Sequence, residues 1–256
     1  LGEIGVDDIL VGDNSNTLNS IVGMLVLNGN GSGDIVRFND SGSTMSKTVT
    51  ITPDRLIGAA STDIRFISLE QFTLQLGSGN DVLNVGAVAS STINLETGAG
   101  SDTVHLTATV GATTLNTGDG DDRVTVGANL SGAGGVFSNH SAPLSIAGGI
   151  GNDVLNLNNS RSAAGGTGAL SANSLTGFGT AGIGYDAFET INLTLGSGAD
   201  NLTVNGTATG ATTAIETGAG ADDVLVTATA TTGEFTLSTG AGDDAVTFSG
   251  TDQTLA

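Results

Sequence analysis

The sequence has no cysteine and no tryptophan, only two prolines, and aromatic side chains at 4% of its 256 positions. The lack of cysteine excludes a disulfide scaffold and leaves the redox compartment open. The shortage of aromatics leaves Val, Leu, Ile, Ala and Thr to form the interior, which suits a narrow core between sheets. No uninterrupted apolar run reaches the 18 residues that a membrane-spanning helix needs. Basic residues are also scarce, with 6 Lys and Arg against 26 Asp and Glu, for a formal net charge of −20. A chain so acidic lacks the cationic contacts that nucleic acid and anionic membranes require, so neither is expected as a partner. Bound cations are.

Glycine is abundant, at 41 residues, but follows no collagen triplet. Disorder is disfavoured as well, because 38% of the chain is hydrophobic and alternates with polar residues. The reason for both features is an internal repeat. The pattern apolar-x-apolar-x-x-G-x-G-x-D-x-apolar-x-apolar recurs as FTLQLGSGNDVLNV, INLETGAGSDTVHL, TTLNTGDGDDRVTV, LSIAGGIGNDVLNL, INLTLGSGADNLTV, TAIETGAGADDVLV and FTLSTGAGDDAVTF. Its aspartates are Asp81, Asp102, Asp122, Asp153, Asp200, Asp222 and Asp244. A degenerate copy, LVLNGNGSGDIVRF, carries Asp34, with Asn30 and Ser32 at the two glycine positions.

A longer period lies above the motif. Asp34 and Asp153 are 119 residues apart, and so are Asp81 and Asp200. The chain therefore reads as two copies of one unit, 25–143 and 144–256, preceded at 1–24 by the tail of another copy. There is no initiator Met or signal peptide, and Leu1 begins inside the pattern, so the expected object is a piece of a longer array.

Around each Gly step, strict alternation such as Val104 and Leu106 against Thr103 and His105 predicts a short strand with one buried face. One unit cannot bury its own apolar row, which is why such units stack. The expected fold is all-β, a parallel β-solenoid of the β-helix or β-roll kind, with stacked turns of about 20–24 residues and little or no helix. Spacings of 20 to 22 residues between neighbouring aspartates fit one turn per motif. The 47-residue gaps from Asp34 to Asp81 and from Asp153 to Asp200 predict two turns, one without the Gly signature. TVTITPDRLIGA and GALSANSLTGFG would fill it. All Gly loops are expected on one edge.

At Gly148–Asp153, GGIGND resembles the calcium-binding RTX repeat, G-G-x-G-x-D-x-U-x. The remaining motifs keep G-x-G-x-D but have Leu or Thr for the leading Gly, and they recur at about twenty residues instead of nine. The longer unit is similar to the tandem β-helix arrays of very large bacterial secreted or surface proteins. The resemblance implies Ca2+ shared between neighbouring loops on one edge, with the eight motif aspartates, Asp34 included, as ligands. Independently, carboxylates stacked about 4.8 Å apart repel one another unless a counterion intervenes. The stacks Asp81–Asp102–Asp122 and Asp200–Asp222–Asp244 are the best candidates. The competing reading is a turn in which Asp simply accepts backbone N–H groups. For the flanking acids Asp119, Asp121, Asp223 and Asp243, solubility and edge protection suffice.

Right-handed β-helices include many carbohydrate-active enzymes, but no catalytic constellation is visible here. His105, His140 and Tyr185 are scattered, and Glu70 and Glu189 recur 119 residues apart, as a structural pair would. Ice binding would need regular Thr ranks, which Thr107, Thr109, Thr227 and Thr229 do not extend to neighbouring turns. The sequence thus predicts a non-enzymatic stalk, matrix fibre or adhesin spacer, extracellular or on a cell surface, able to pair end to end into filaments. The alternative is an adhesin module binding through the irregular loops Gly132–Pro143 and Ser160–Gly168.

Overall fold

The computed structural model describes residues 5–30, 33–128 and 134–249. Ser32, the start of the loop at Gly132, and the extreme ends of the first and last repeat segments lie outside the described residues. The chain is almost entirely β, and the only helix among the described residues is a single 3₁₀ turn, Phe137–Asn139.

Strands of three to seven residues form two long sheets, one of 12 strands and one of 11. Through most of the chain, consecutive strands alternate between the sheets, and each pairs in parallel with the strand two places before it. Thr92–Glu96, for example, pairs with Gln71–Gln75 in the 12-stranded sheet, and Thr103–Leu106 pairs with Val82–Val85 in the other. Registers between these parallel strands run without slip, so apolar residues fall into inward ranks such as Leu83, Val104, Val124 and Leu155, all fully buried. Val, Ile and Leu at alternate positions suit this arrangement because a branched side chain packs well on a pleated surface. The core is one continuous cluster from Val11 to Val226.

The 47-residue gaps differ from the sequence expectation. Each holds not an extra parallel turn but a three-stranded antiparallel meander within one sheet. In the first copy, Thr48–Ile51, Arg55–Ile57 and Ile64–Ile67 occupy the 11-stranded sheet. In the second, Thr167–Ser171, Ser174–Gly177 and Thr180–Asp186 occupy the 12-stranded sheet. Alternation alone does not separate a hairpin from a stacked turn, because both need one buried face.

The meanders have a topological consequence. The strand entering a Gly loop belongs to the 11-stranded sheet at Asp34, to the 12-stranded sheet at Asp81, Asp102, Asp122 and Asp153, and to the 11-stranded sheet again at Asp200, Asp222 and Asp244. Since the main strands of each sheet are parallel, the loops divide between two opposite margins. The expectation of one Gly-loop edge is therefore corrected. Asp34 and the last three aspartates lie on one margin, and the middle four lie on the other.

Candidate functional site: buried carboxylate ladders on two margins

Each margin is built from the Gly step. At Gly98 and Gly100, φ is 103° and 117°, a region closed to most other residues. A Cβ at Gly98 would also sit 1.9 Å from the carbonyl oxygen of Gly77 in the adjoining loop. Glycine thus lets successive loops nest, and the nesting brings each motif Asp beneath its neighbour's backbone.

The result is a hydrogen-bonded ladder. On the first margin, the N–H of Lys47 donates to Asp81 Oδ1 at 2.6 Å, and Asp81 N–H donates to Asp102 Oδ1 at 2.7 Å. Asp102 N–H continues to Asp122 Oδ1 at 2.7 Å, and Asp122 N–H to Asp153 Oδ1 at 2.8 Å. Asp153 N–H ends the series on Glu189 Oε2 at 2.7 Å. On the opposite margin, Gly166 N–H meets Asp200 Oδ1, Asp200 N–H meets Asp222 Oδ1, and Asp222 N–H meets Asp244 Oδ1, at 2.7, 2.8 and 3.0 Å. Nearer the N-terminus, Asp7 N–H donates to Asp34 Oδ1 at 2.9 Å and Asp34 N–H to Glu70 Oε2 at 2.9 Å.

The structure therefore brings Asp81, Asp102 and Asp122 together, as it does Asp200, Asp222 and Asp244. It adds Asp153 to the first set and leaves Asp34 in a shorter series of its own. Glu70 and Glu189 are the last acceptors of their series, each at the point where the chain changes margin. Their identical spacing reflects this shared place. Sequence reasoning also missed Thr97, Thr117 and Thr217, which stand where the RTX pattern has its leading Gly. All three are fully buried. Thr97 Oγ1 donates to the Thr117 carbonyl at 2.9 Å, Thr117 Oγ1 to the Gly148 carbonyl at 2.6 Å, and Thr217 Oγ1 to Asp222 Oδ2 at 2.6 Å. The Leu-or-Thr replacement of Gly was the signal for them.

The ladder uses only one oxygen of most carboxylates. The Oδ2 atoms of Asp34, Asp102, Asp122, Asp153 and Asp200 are buried with no hydrogen-bond partner. A buried, half-solvated carboxylate favours its neutral form. Burial accordingly raises the pKa of Asp81, Asp122, Asp153 and Asp200, and pushes Asp102 up to about 6, with the Asp122 and Asp81 charges adding to the rise. A hard-oxygen donor set suits calcium and offers nothing to soft metals. Asp34, Asp102, Asp122, Asp153 and Asp200 each supply one unclaimed carboxylate oxygen, and among the described residues no three His, Cys, Asp or Glu side chains converge. Six to eight oxygens around calcium would therefore have to come largely from loop carbonyls.

The other singled-out side chains lie apart from the ladders. His140 is fully buried, with Nδ1 3.1 Å from Thr109 Oγ1, and burial lowers its pKa to about 4. His105 stands in the 11-stranded sheet between Asn84 and Thr125, and partial burial lowers its pKa. Tyr185 donates its hydroxyl to the Ser171 carbonyl at 2.6 Å, and burial raises its pKa. Compared with protein-family models and with curated proteins, the chain matches none.

Proposed function

We propose that the chain is a β-solenoid segment of two repeat copies, acting as a non-enzymatic spacer in a secreted or surface-displayed protein. The observation that carries this reading is the continuity of the ladders. Every motif Asp is spent on a neighbouring loop's backbone, so the acids that make the sequence distinctive hold rung to rung. A repeat whose stability comes from nearest neighbours can be lengthened copy by copy, which is what a stalk or matrix fibre needs.

In this reading calcium is the stabilising ion, drawn to the unpartnered Oδ2 atoms and using loop carbonyls for its remaining ligands. The eight motif aspartates are its proposed carboxylate ligands. Extracellular calcium near millimolar suffices for sites with Kd of about 10⁻⁴–10⁻³ M. Calorimetric titration of calcium at pH 7.5 tests this, with Asp102→Asn and Asp222→Asn as variants. Saturable binding weakened by either variant supports the ion. No heat of binding in the wild type refutes it.

A second reading has its own support. The raised pKa of Asp102 and its neighbours lets protons, not calcium, neutralise the ladder. The stability contributed by such groups is complete below the unfolded value of 3.8 and is lost as pH rises through the folded value, about 6 for Asp102. The two readings separate in chelator. A proton-held ladder melts higher at pH 5 than at pH 7.5 whether or not calcium is present.

Self-association end to end belongs to the same proposal. Unpaired strand edges favour such pairing, and sedimentation across a concentration series tests it. A monomer throughout, with calcium present, would remove filament formation from the account.

A further inference from the structure

The two irregular loops meet and form a cleft that the repeat frame does not need. The described part of the first loop, from Gly134, packs against the second at Ser160 and Arg161. Arg161 N–H donates to the Gly135 carbonyl at 3.0 Å, Gly135 N–H to Asn158 Oδ1 at 3.2 Å, and Phe137 N–H to Asn159 Oδ1 at 2.9 Å. A Cβ on Gly134 would stand 3.0 Å from Arg161 Cγ and 2.3 Å from Ser160 Oγ, so glycine there makes room for the arginine stem. Beside this junction is an open cleft of about 350 Å³, bordered by Thr107, Ala128, Val136, Asn139 and Arg161.

Charge sets Arg161 apart. Arg37 pairs with Asp8, Lys47 with Asp40, and Arg55 and Arg65 with Asp54. Among the described residues Arg123 and Arg161 have no carboxylate partner, but only Arg161 borders the cleft, and no acid does. A guanidinium left unpaired in a chain of net charge −20 is a fork for a carboxylate brought from outside. The first copy shows that the frame does without it. The position 119 residues earlier is Gly42, where a Cβ would stand 1.9 Å from the Ser15 carbonyl oxygen, leaving no space for a side chain.

The geometry points to a binding site for an acidic monosaccharide, its carboxylate held by Arg161 and its hydroxyls by Thr107 and Asn139. A single cation in a strongly negative chain selects one carboxylate over a polyanion. The volume suits one or two sugar rings, and polar groups beside the half-buried Val136 match a ring with both hydroxyl and C–H surfaces.

The test is titration of the whole chain with sodium glucuronate, followed by NMR at the Gly134, Gly135 and Asn139 amides. Glucose and acetate serve as comparison probes. Saturable shifts with glucuronate are expected, with glucose and acetate both weaker. Arg161→Gln should weaken glucuronate binding about tenfold or more, the scale of a charge-assisted hydrogen-bonded pair. Arg123→Gln, which removes the other arginine without a carboxylate partner, should leave it unchanged, as should the melting temperature of both variants. No saturable shift, equal affinity for acetate, or equal loss in Arg123→Gln would overturn the assignment.

Discussion

The two repeat copies solve the same packing problem with different chemistry. In the first, Phe38, Phe66 and Phe72 form an aromatic trio with ring centroids 5.2 to 6.4 Å apart. The positions 119 residues later are Leu157, Tyr185 and Ile191, all buried as well. In the first copy, Asp40 accepts the Leu18 N–H at 2.8 Å and forms a buried ion pair with Lys47 at 2.5 Å. In the second, Asn159 accepts the Phe137 N–H in the same place, and Gly166 stands for the lysine. The ladders, by contrast, use the same donors and acceptors in both copies. The comparison teaches that side-chain volume is negotiable between the sheets while the backbone-to-carboxylate series at the margins is not.

The sharpest way to break the comparison is at the ion pair. Lys47→Ala strands a buried carboxylate and should cost about 3–5 kcal/mol, read by urea denaturation. Lys47→Gly together with Asp40→Asn installs the second copy's solution and should recover most of that loss. Recovery of nothing would mean that the copies are not interchangeable there. Next in size is the ladder itself. Asp102→Ala or Asp222→Ala leaves a buried N–H without its acceptor and should each cost about 1–3 kcal/mol. Similar values on the two margins are expected, and a large inequality would break the equivalence of the ladders.

Of similar size is the core exchange. Phe72→Ile, which copies Ile191 into the first unit, should cost about 1–3 kcal/mol by opening space beside Phe38 and Phe66. Adding Phe38→Leu and Phe66→Tyr should give less than the sum of the three single costs, because the residues touch. Strict additivity would show that the trio does not pack as a unit. In chelator, raising the pH from 5 to 7.5 should lower the melting temperature, since the raised aspartate pKa values make the charged ladder the less stable form. An opposite slope would contradict the burial of these carboxylates.

Much of this was legible in the sequence. Alternation gave the strands, and the aspartate spacing gave the two stacks of three. The margin change was not, because it depends on whether a segment stacks or folds back, and alternation is the same in both. The turn chemistry held the clue. Two residues, Ala172 and Asn173, separate Thr167–Ser171 from Ser174–Gly177, a connection that joins only antiparallel strands. Thr52-Pro53-Asp54 does the same after Ile51. Glu70 and Glu189 were visible as a pair but not as ladder ends, since they precede a strand instead of following a Gly step.

The central proposal is that the stacked acids, held in hydrogen-bonded ladders on the two margins, take a calcium counterion at neutral pH. The direct measurement is a thermal melt by circular dichroism at pH 7.5, in millimolar calcium and then in excess chelator. The account predicts a β-rich spectrum in both conditions and a much lower melting temperature in chelator, with Asp102→Ala and Asp222→Ala reproducing part of the drop in calcium. An unchanged melting temperature would contradict the calcium claim and leave ladders held by backbone hydrogen bonds and protons alone.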